Sequence, residues 1–279
     1  MNIIKILKKY YSYNKKSCIY GKVKSTIFQN TEFAKRKKIA KLYSSNYLQH
    51  IAEHHSIPVM DHEVSSLLKK IPKNSIICDI GGCWGWHWRN ITLKRPDVKI
   101  VIIDLVYENL LIAKKIIKKK INKQIFLVND DCSELRINKE IFDIVWTVQT
   151  LQHIPNYHKT IKRIFKIIKK GGYLYNYNLS INYLIKIIYK FFNKKYLIKD
   201  YDNDFYLERS NINQKKIIEK IFRNDAISRY TELLFHPDLM IKTGSIKNFI
   251  GKIDALLSGS LLFKKIFARQ EAFIINKKV

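Results

Sequence analysis

Apolar runs alternate with polar and glycine-rich stretches along this chain. The run from Ser75 to Ile80 is rich in isoleucine and leads directly into a glycine cluster, and a second apolar run extends from Lys99 to Leu105. Runs of this kind are typical of strands buried on both faces of a sheet. The glycines allow a sharp turn and bring the backbone close to a ligand. The pattern therefore predicts a βαβ unit with a binding site at its turn.

The alternation continues toward the end of the chain. Further strands are predicted over residues 124–129, 142–148, 173–179, 226–235 and 268–276. Helices are predicted over residues 61–70, 84–93, 108–121, 156–170 and 210–222 and within 237–263. Asp61 is the expected N-cap of the first helix, and Gly171-Gly172 the expected end of the fourth. Regular alternation of strand and helix predicts an α/β fold with a doubly wound parallel sheet.

The first part of the chain is basic and is predicted to be helical. Residues 1–73 are assigned to an N-terminal helical extension or cap, and residues 74–279 to the main domain. Five side chains near the start can line one helix face: Ile3, Ile4, Leu7, Tyr10 and Tyr11. Such a face either contacts a membrane surface or packs on the main domain, and packing is the simpler interpretation.

The regular alternation stops after the fifth predicted strand of the main domain. Residues 180–209 contain eight aromatic side chains: Tyr183, Tyr189, Phe191, Phe192, Tyr196, Tyr201, Phe205 and Tyr206. Ligands of open α/β sheets bind at the carboxyl ends of strands, where this segment begins. We interpret it as a lid or substrate-binding insertion, with additional core packing as the alternative.

The chain is strongly basic. Its 279 residues include 52 Lys and Arg and 23 Asp and Glu, which gives a formal net charge of +29. This excess favours anionic partners, so nucleic acid and a peripheral membrane surface both stay open as partners. The alternative is a compositional bias toward Lys, Ile, Asn and Tyr, which the even spread of the lysines favours.

Four cysteines indicate a reducing compartment. Cys18, Cys78, Cys83 and Cys132 include no C-x-x-C pair, so the spacing predicts neither a zinc site nor a disulfide framework. No apolar stretch approaches the roughly 20 residues that span a bilayer. The expectation is a cytoplasmic protein without a transmembrane segment; its oligomeric state is left open.

Three histidines lie close together before Pro58. His50 and His54 are four residues apart on the predicted helix, with Glu53 between them. They could share a metal ion, but the order differs from H-E-x-x-H. A solvated helix end is the simpler interpretation, and no metal is predicted.

Further motifs follow the glycine turn in a fixed order. The turn itself reads Asp79-Ile80-Gly81-Gly82-Cys83-Trp84-Gly85, and it is followed by Asp104, Asp130-Asp131-Cys132, Phe142-Asp143-Ile144-Val145, Leu151-Gln152-His153-Ile154 and Gly171-Gly172. This series resembles the class I S-adenosylmethionine-dependent methyltransferases over residues 74–180. Their first motif is Asp/Glu-x-Gly-x-Gly-x-Gly, so Cys83 replaces its central glycine and implies a locally altered loop. Dinucleotide-binding dehydrogenases share the turn, but Asp79 and the 130–132 cluster favour the methyltransferases.

The resemblance implies a Rossmann-like, seven-stranded sheet with an antiparallel C-terminal strand and S-adenosylmethionine as the cofactor. It implies that Asp79 positions the turn and that Asp104 accepts both ribose hydroxyls. Asp131 and the N–H of Cys132 would recognise adenine, and Gln149 would line the methyl-donating end. The glycines expected under the methionine part of the cofactor are Gly81, Gly82 and Gly85.

The acceptor is expected to be a small molecule. His153 is the candidate base, because an imidazole accepts a proton near neutral pH. Tyr177 and Asn178, at the end of the fifth strand, are expected to contact the acceptor. Thr147-Val148-Gln149-Thr150 stands where base-nitrogen DNA methyltransferases carry Asp/Asn-Pro-Pro-Tyr/Phe. Two alternatives remain: a nucleic-acid methyltransferase or binding protein, and a non-catalytic partner protein with the same fold.

Overall fold

The computed structural model describes residues 2–23, 34, 38, 47–202, 205–236 and 244–278. Sequence predictions for most of 24–46, for 203–204 and for 237–243 therefore lie outside the described residues. The strands are β1 (Tyr13–Asn14), β2 (Ile19–Tyr20), β3 (Ile76–Ile80), β4 (Lys99–Asp104), β5 (Ile125–Asn129), β6 (Phe142–Val148), β7 (Ile168–Leu179), β8 (Lys199–Asp202), β9 (Phe205–Glu208), β10 (Ile227–Thr231) and β11 (Gln270–Asn276). The α-helices are α1 (Ile3–Tyr10), α2 (Tyr47–His54), α3 (Ile57–Lys70), α4 (Ile91–Lys94), α5 (Tyr107–Ile117), α6 (Tyr157–Ile167), α7 (Tyr183–Phe191), α8 (Ile212–Phe222) and α9 (Gly244–Leu257).

One sheet organises the molecule. Its strand order is β1-β2-β5-β4-β3-β6-β7-β11-β10. Neighbouring strands run parallel from β2 to β7, and β11 is antiparallel to both β7 and β10. The predicted α/β, Rossmann-like, mostly parallel sheet with an antiparallel C-terminal strand is confirmed. The expected count of seven strands was wrong, because the described sheet has nine: β1 and β2 extend it beyond β5. The strand order reverses between β3 and β6, so ligands are expected at the carboxyl ends of these two strands.

Both faces of the sheet are covered, which explains its continuous apolar strands. On one face, side chains such as Cys78 and Val145 pack with α1, α6 and α8. On the other face, Ile77 and Trp146 pack with α3, α5 and the three tryptophans that follow the glycine turn. Alternate residues of each strand therefore supply the two halves of the core.

The N-terminal residues pack on this core. Ile3 and Leu7 of α1 are buried against it, and the hydroxyl of Tyr11 donates to Oδ2 of Asp130 at 2.6 Å. Burial and the Asp130 carboxylate raise the pKa of Tyr11, so its hydroxyl stays a donor. The apolar face of α1 thus packs on the domain and does not face a membrane.

A short hairpin interrupts the segment that was predicted to be helical. β1 and β2 pair antiparallel, and β2 adds to the edge of the sheet beside β5. Asn14 Oδ1 accepts from the N–H of Ser17, and Cys18 has a φ of 61°, so the chain reverses between the two strands. The purely helical prediction for this part was therefore wrong, because two-residue strands leave no periodic pattern to read.

Helix α3 begins earlier than predicted. Its N-cap is Ser56, and Pro58 lies in its first turn, where proline is tolerated because those N–H groups have no helical partner. Asp61 is therefore inside the helix, where it pairs with Arg89 at 2.5 Å and does not act as a cap.

The helix predicted over 84–93 is replaced by a 3₁₀ turn (Trp86–Trp88) and the one-turn α4. Trp86, His87 and Trp88 are all buried. Three consecutive buried side chains cannot lie on one face of an α-helix, which explains the tighter turn.

Gly171-Gly172 does not end a helix but lies within β7. α6 stops at Ile167, and β7 continues directly from Ile168. A Cβ at Gly172 would lie 2.7 Å from the backbone oxygen of Asp143 on the neighbouring strand β6. Close approach of two strands, with a register shift between Phe142 and Ile144, therefore accounts for the glycine.

The aromatic insertion forms α7 followed by the antiparallel β8–β9 hairpin. Tyr196 donates to the carbonyl of Ser180 at 3.0 Å and packs edge-on against Tyr189. These contacts fix the insertion at the carboxyl end of β7. Its function as a lid stays a prediction.

Among the described residues, none of the helices has both the length and the apolar character that crossing a bilayer requires.

Acid should destabilise the fold through His236. Its Nε2 lies 3.2 Å from the carbonyl oxygen of Phe267, and burial, together with Arg269, lowers its pKa from 6.5 to about 4. Below pH 6.5 the unfolded chain gains a proton that the folded chain refuses, so stability falls as the pH drops toward 4. In His236→Gln, which cannot titrate, the loss between about pH 7 and about pH 4.5 should be smaller by roughly 2 kcal/mol in urea unfolding.

The comparison with the wild-type chain is essential, because Asp254 acts in the opposite direction. Burial raises its pKa to about 6, so it adds stability as the pH falls. Equal pH dependence in the variant and the wild type would show that His236 contributes nothing.

Candidate functional site

The chain turns sharply where β3 ends. Gly81 and Gly85 both have a φ of 68°, in the left-handed region. A Cβ at Gly81 would lie 2.1 Å from Oγ1 of Thr150, and a Cβ at Gly82 would lie 2.4 Å from Oδ2 of Asp79. Close packing therefore requires glycine at both of these positions.

Cys83 stands where the methyltransferase motif Asp/Glu-x-Gly-x-Gly-x-Gly has its central glycine, and its backbone is in the left-handed region. Its φ is 49°, and its N–H donates to Oδ2 of Asp104 at 2.9 Å. The loop thus forms with a cysteine in place of the glycine, and its backbone joins the ends of β3 and β4.

Substitutions at Cys83 should separate backbone conformation from side-chain chemistry. Cys83→Gly should bind cofactor normally, because glycine adopts a φ of this kind without strain. Cys83→Val should lose about 1–2 kcal/mol of stability and bind S-adenosylhomocysteine at least tenfold more weakly, since β-branched residues are disfavoured in this region. Thermal unfolding and calorimetry would measure both effects.

Cys18→Val is the matched control. Cys18 also has a left-handed φ, of 61°, but lies in the β1–β2 hairpin. It should lose stability without any change in cofactor affinity. A Cys83→Val variant with native affinity would contradict the importance of the loop conformation.

Asp79 is buried beneath the turn. Its Oδ2 accepts from Nε1 of Trp88 at 2.7 Å, and Nδ1 of His87 lies 3.8 Å from the same oxygen. Among the described residues, Oδ1 has no hydrogen-bond partner. Asp79 therefore anchors the 3₁₀ turn through one oxygen and leaves an acceptor at the other.

Asp104 is buried at the end of β4, next to the turn. Besides the N–H of Cys83, its carboxylate accepts from the N–H of Val106 at 2.8 Å and from Nδ2 of Asn109 at 3.3 Å. Asn109 in turn accepts from Nε1 of Trp84 at 3.1 Å. This network fixes the orientation of the carboxylate. No local pattern predicted the part that Asn109 plays in it.

The acidic cluster after β5 divides into two roles. Asp130 is buried and binds Tyr11 and Arg136, so it holds the N-terminal segment. Asp131 caps a 3₁₀ turn, accepting from the N–H and the hydroxyl of Ser133 at 2.8 Å each. Burial and the Asp131 carboxylate raise the pKa of Cys132, so its thiol stays protonated.

The loop after β6 faces the glycine turn. Gln149 has a φ of 50°, and its N–H donates to the carbonyl of Tyr177 at 2.6 Å. The side chain of the next residue, Thr150, fills the space left by Gly81. Gln149 is thereby held at the point where the strand order reverses.

His153 connects this loop to the aromatic insertion. Its Nδ1 lies 2.8 Å from the carbonyl oxygen of Tyr206, and its Nε2 lies 3.2 Å from the amide nitrogen of Gln152. Because a carbonyl only accepts, Nδ1 carries the proton, and the lone pair of Nε2 accepts from the Gln152 amide. Gln152 also accepts from the N–H of Leu179 at 2.7 Å, so this group joins β7 to the same loop.

Tyr177 and Asn178 lie on opposite faces of β7. The hydroxyl of Tyr177 donates to Oε2 of Glu63 at 2.7 Å, and Arg229 binds both oxygens of Glu63 at 2.6 and 2.7 Å. Burial and Glu63 raise the pKa of Tyr177, so it remains a donor. Asn178 is fully buried on the other face. Glu63 and Arg229 are too far apart in sequence for any local pattern to reveal their pairing.

Buried polar atoms gather at the carboxyl ends of β6 and β7. Five of them lack a hydrogen-bond partner among the described residues: Thr147 Oγ1, Gln149 Nε2, Asn176 Oδ1, and both Oδ1 and Nδ2 of Asn178. Each such atom costs about 1–3 kcal/mol when left unsatisfied. Bound molecules are therefore expected to complete these bonds.

The three side chains that could share a metal do lie together. The nearest ligand atoms of His50, Glu53 and His54 are within 4.8 Å of one another, and His50 packs on Trp84 of the glycine turn. Nδ1 of His50 lies 3.6 Å from Oε2 of Glu53.

This chain is similar in sequence to known methyltransferases. A family described as "Methyltransferase domain" matches residues 78–176. A demethylmenaquinone methyltransferase of Lactococcus lactis is 31% identical over 77 residues, 28% of this chain and 31% of the relative. Another, from Alkalihalophilus pseudofirmus, is 27% identical over 143 residues, 47% of this chain and 60% of the relative. The matches thus span less than two thirds of either relative.

The fold is also similar to solved structures. A SAM-dependent methyltransferase of Thermotoga maritima superimposes with a TM-score of 0.57 and 16% identity, covering 86% of this chain and 99% of that one. The match to the methyltransferase-domain model, residues 78–176, contains the glycine turn and Asp104. Residues 78–176 therefore match a methyltransferase domain, the fold is similar to that of a SAM-dependent methyltransferase, and S-adenosylmethionine is the cofactor that these matches support.

Proposed function

We propose that this protein transfers a methyl group from S-adenosylmethionine to a small-molecule acceptor at the carboxyl ends of β6 and β7. The observation that carries the proposal is the group of unsatisfied polar atoms there, next to the cofactor turn. Amide and hydroxyl groups at this edge of the sheet suit a compact polar group on the acceptor.

The residues of the turn fit the cofactor. Asp79 Oδ1 offers an acceptor and Gln149 Nε2 offers a donor, and neither has a partner among the described residues. These complement an ammonium and a carboxylate, the two charged ends of the methionine part. We propose that Asp104 accepts the ribose hydroxyls and that Asp131, with the N–H of Cys132, recognises adenine. Gly81, Gly82 and Gly85 leave room for this close approach.

The cofactor supplies a methyl group already activated by a sulfonium. The protein must therefore hold the acceptor in line and exclude water. We propose that Asn178 binds the acceptor and that His153 Nε2 receives its proton. Tyr177 supports the site from the opposite face of β7, because its hydroxyl already donates to Glu63.

The names of the curated relatives suggest one acceptor class. Both are demethylmenaquinone methyltransferases, so a lipophilic aromatic acceptor is a candidate here. The aromatic insertion beside His153 would suit such a ring.

Isotope transfer would test the proposal. The protein is incubated with methyl-labelled cofactor and a cell extract divided into small-molecule, lipid and nucleic-acid fractions. Label should enter the small-molecule or lipid fraction, and S-adenosylhomocysteine but not NAD should raise the melting temperature. Label only in nucleic acid would favour a nucleic-acid methyltransferase, while absence of both label and thermal shift would favour a non-catalytic role.

A further inference from the structure

Helix α7 carries an exposed apolar line. Tyr183, Ile187 and Phe191 lie at i, i+4 and i+8, and their exposed fractions are 69%, 66% and 84%. The helix is held to the domain by its other side, where Ile185 and Tyr189 are buried. The exposed line is thus not needed to anchor the helix, and it leaves large apolar side chains in water.

A line of lysines runs beside it. Lys186, Lys190 and Lys194 share the same four-residue spacing, and with Lys195 and Tyr196 they line a surface groove. The sequence contains no Asp or Glu between Asp143 and Asp200. The surface formed by Tyr183, Lys186, Ile187, Lys190, Phe191 and Lys194, the α7 surface, is therefore both apolar and cationic.

A second exposed apolar stretch lies nearby in the fold. Phe249 and Leu256 of α9 are 64% and 80% exposed, and the following 3₁₀ turn (Leu262–Ile266) exposes Leu262 and Phe263. The two stretches are linked, because Nδ2 of Asn182, the N-cap of α7, donates to the carbonyl of Ala268.

We propose that the α7 surface docks on an anionic lipid bilayer, with the apolar line entering the headgroup region and the lysines meeting lipid phosphates. Apolar side chains next to lysines are the composition of interfacial helices. A second copy of the chain fits poorly, since each chain has a net charge of +29. RNA fits less well, because the two exposed rings of the line, Tyr183 and Phe191, are separated by Ile187, which offers no ring on which a base can stack.

Docking would bring the proposed acceptor site to the membrane. Three residues separate the end of β7 at Leu179 from the start of α7. The β8–β9 hairpin that follows α7 contacts His153. A lipophilic acceptor could then enter from the bilayer; this consequence rests on the proposed function, whereas docking does not.

Sedimentation with vesicles tests the docking. The full chain should sediment with vesicles of phosphatidylcholine and phosphatidylglycerol, and much less with phosphatidylcholine alone. Ile187→Ser/Phe191→Ser and Lys186→Gln/Lys190→Gln should each lower the partition coefficient at least tenfold. All four positions are exposed, so melting temperatures should be unchanged.

Matched controls use two other helices. Lys162→Gln/Lys166→Gln removes an equally spaced exposed pair from α6, and Leu93→Ser removes an exposed leucine from α4. Both should sediment like the wild type. The proposal is overturned if loss of the α6 lysine pair lowers the vesicle partition coefficient as much as loss of the α7 pair. It is also overturned if Ile187→Ser/Phe191→Ser leaves that coefficient unchanged. A third contrary result is that the wild type never binds vesicles, while Ile187→Ser/Phe191→Ser loses RNA binding or self-association. Methyl transfer to a water-soluble acceptor, measured separately, reports on the proposed function alone.

Discussion

Asp104→Ala should weaken the binding of S-adenosylhomocysteine at least 100-fold. The Asp104 carboxylate accepts from Cys83 and Val106, and in the proposed complex it also accepts two ribose hydroxyls. Hydrogen bonds to a charged group contribute about 1.5–3 kcal/mol each, so losing the two ribose bonds alone costs about two to four orders of magnitude in affinity. Titration calorimetry would measure the change directly.

Two further variants make this result interpretable. Asp104→Asn keeps the shape and one acceptor oxygen, so it should retain the fold and still lose at least tenfold in affinity. Asp97→Asn is the matched control, because Asp97 precedes the opposite end of β4 and pairs with Arg95 at 2.8 Å. It should bind normally. Native affinity in a folded Asp104→Ala would remove the carboxylate from the cofactor site.

The strands around this carboxylate could be predicted because their signal is local. β3 and β4 are isoleucine-rich runs, and burial on both faces leaves no polar residue to confuse the pattern. The order of motifs then fixed the place of Asp104 relative to the turn. Nothing in a single strand, however, predicts that the N–H of Cys83 would bind Asp104.

The segments that were mispredicted have physical reasons in common. In the 3₁₀ turn, Trp88 bonds to Asp79 while Trp86 packs toward His55, so tertiary partners on different sides overrode helix formation. In β7, the glycine pair is required by the neighbouring strand. Such requirements arise from residues distant in sequence, and a local pattern does not contain them.

The buried ion pair between Glu63 and Arg229 shows that local sequence patterns also miss contacts of the candidate site. The sequence assigns Tyr177 to the acceptor and attaches no role at the site to Glu63. The structure joins them with Arg229 in a buried network. The contact between Glu63 and Arg229 spans 166 positions in the sequence, so only the folded sheet brings the two residues together.

Replacing His153 should slow the reaction without affecting the cofactor. In His153→Ala we expect kcat to fall at least tenfold, in line with the contribution of general acid–base catalysis, while S-adenosylhomocysteine affinity stays unchanged. The reason is that the Nδ1–H bond to Tyr206 leaves Nε2 as the acceptor atom beside the loop. The pH–rate profile of methyl transfer should also lose the change in rate that titration of the imidazole produces in the wild type.

The bond to Tyr206 creates a rival explanation, because His153 could act only by holding β9 against the loop. His153→Asn separates the two roles. An asparagine amide can still donate to the Tyr206 carbonyl, but it cannot take up a proton. If His153 is the base, the asparagine variant should be as slow as the alanine variant and lose the same change in rate with pH. Recovery of turnover in His153→Asn would instead make His153 a positioning residue, and the proton would then leave through another group or through water.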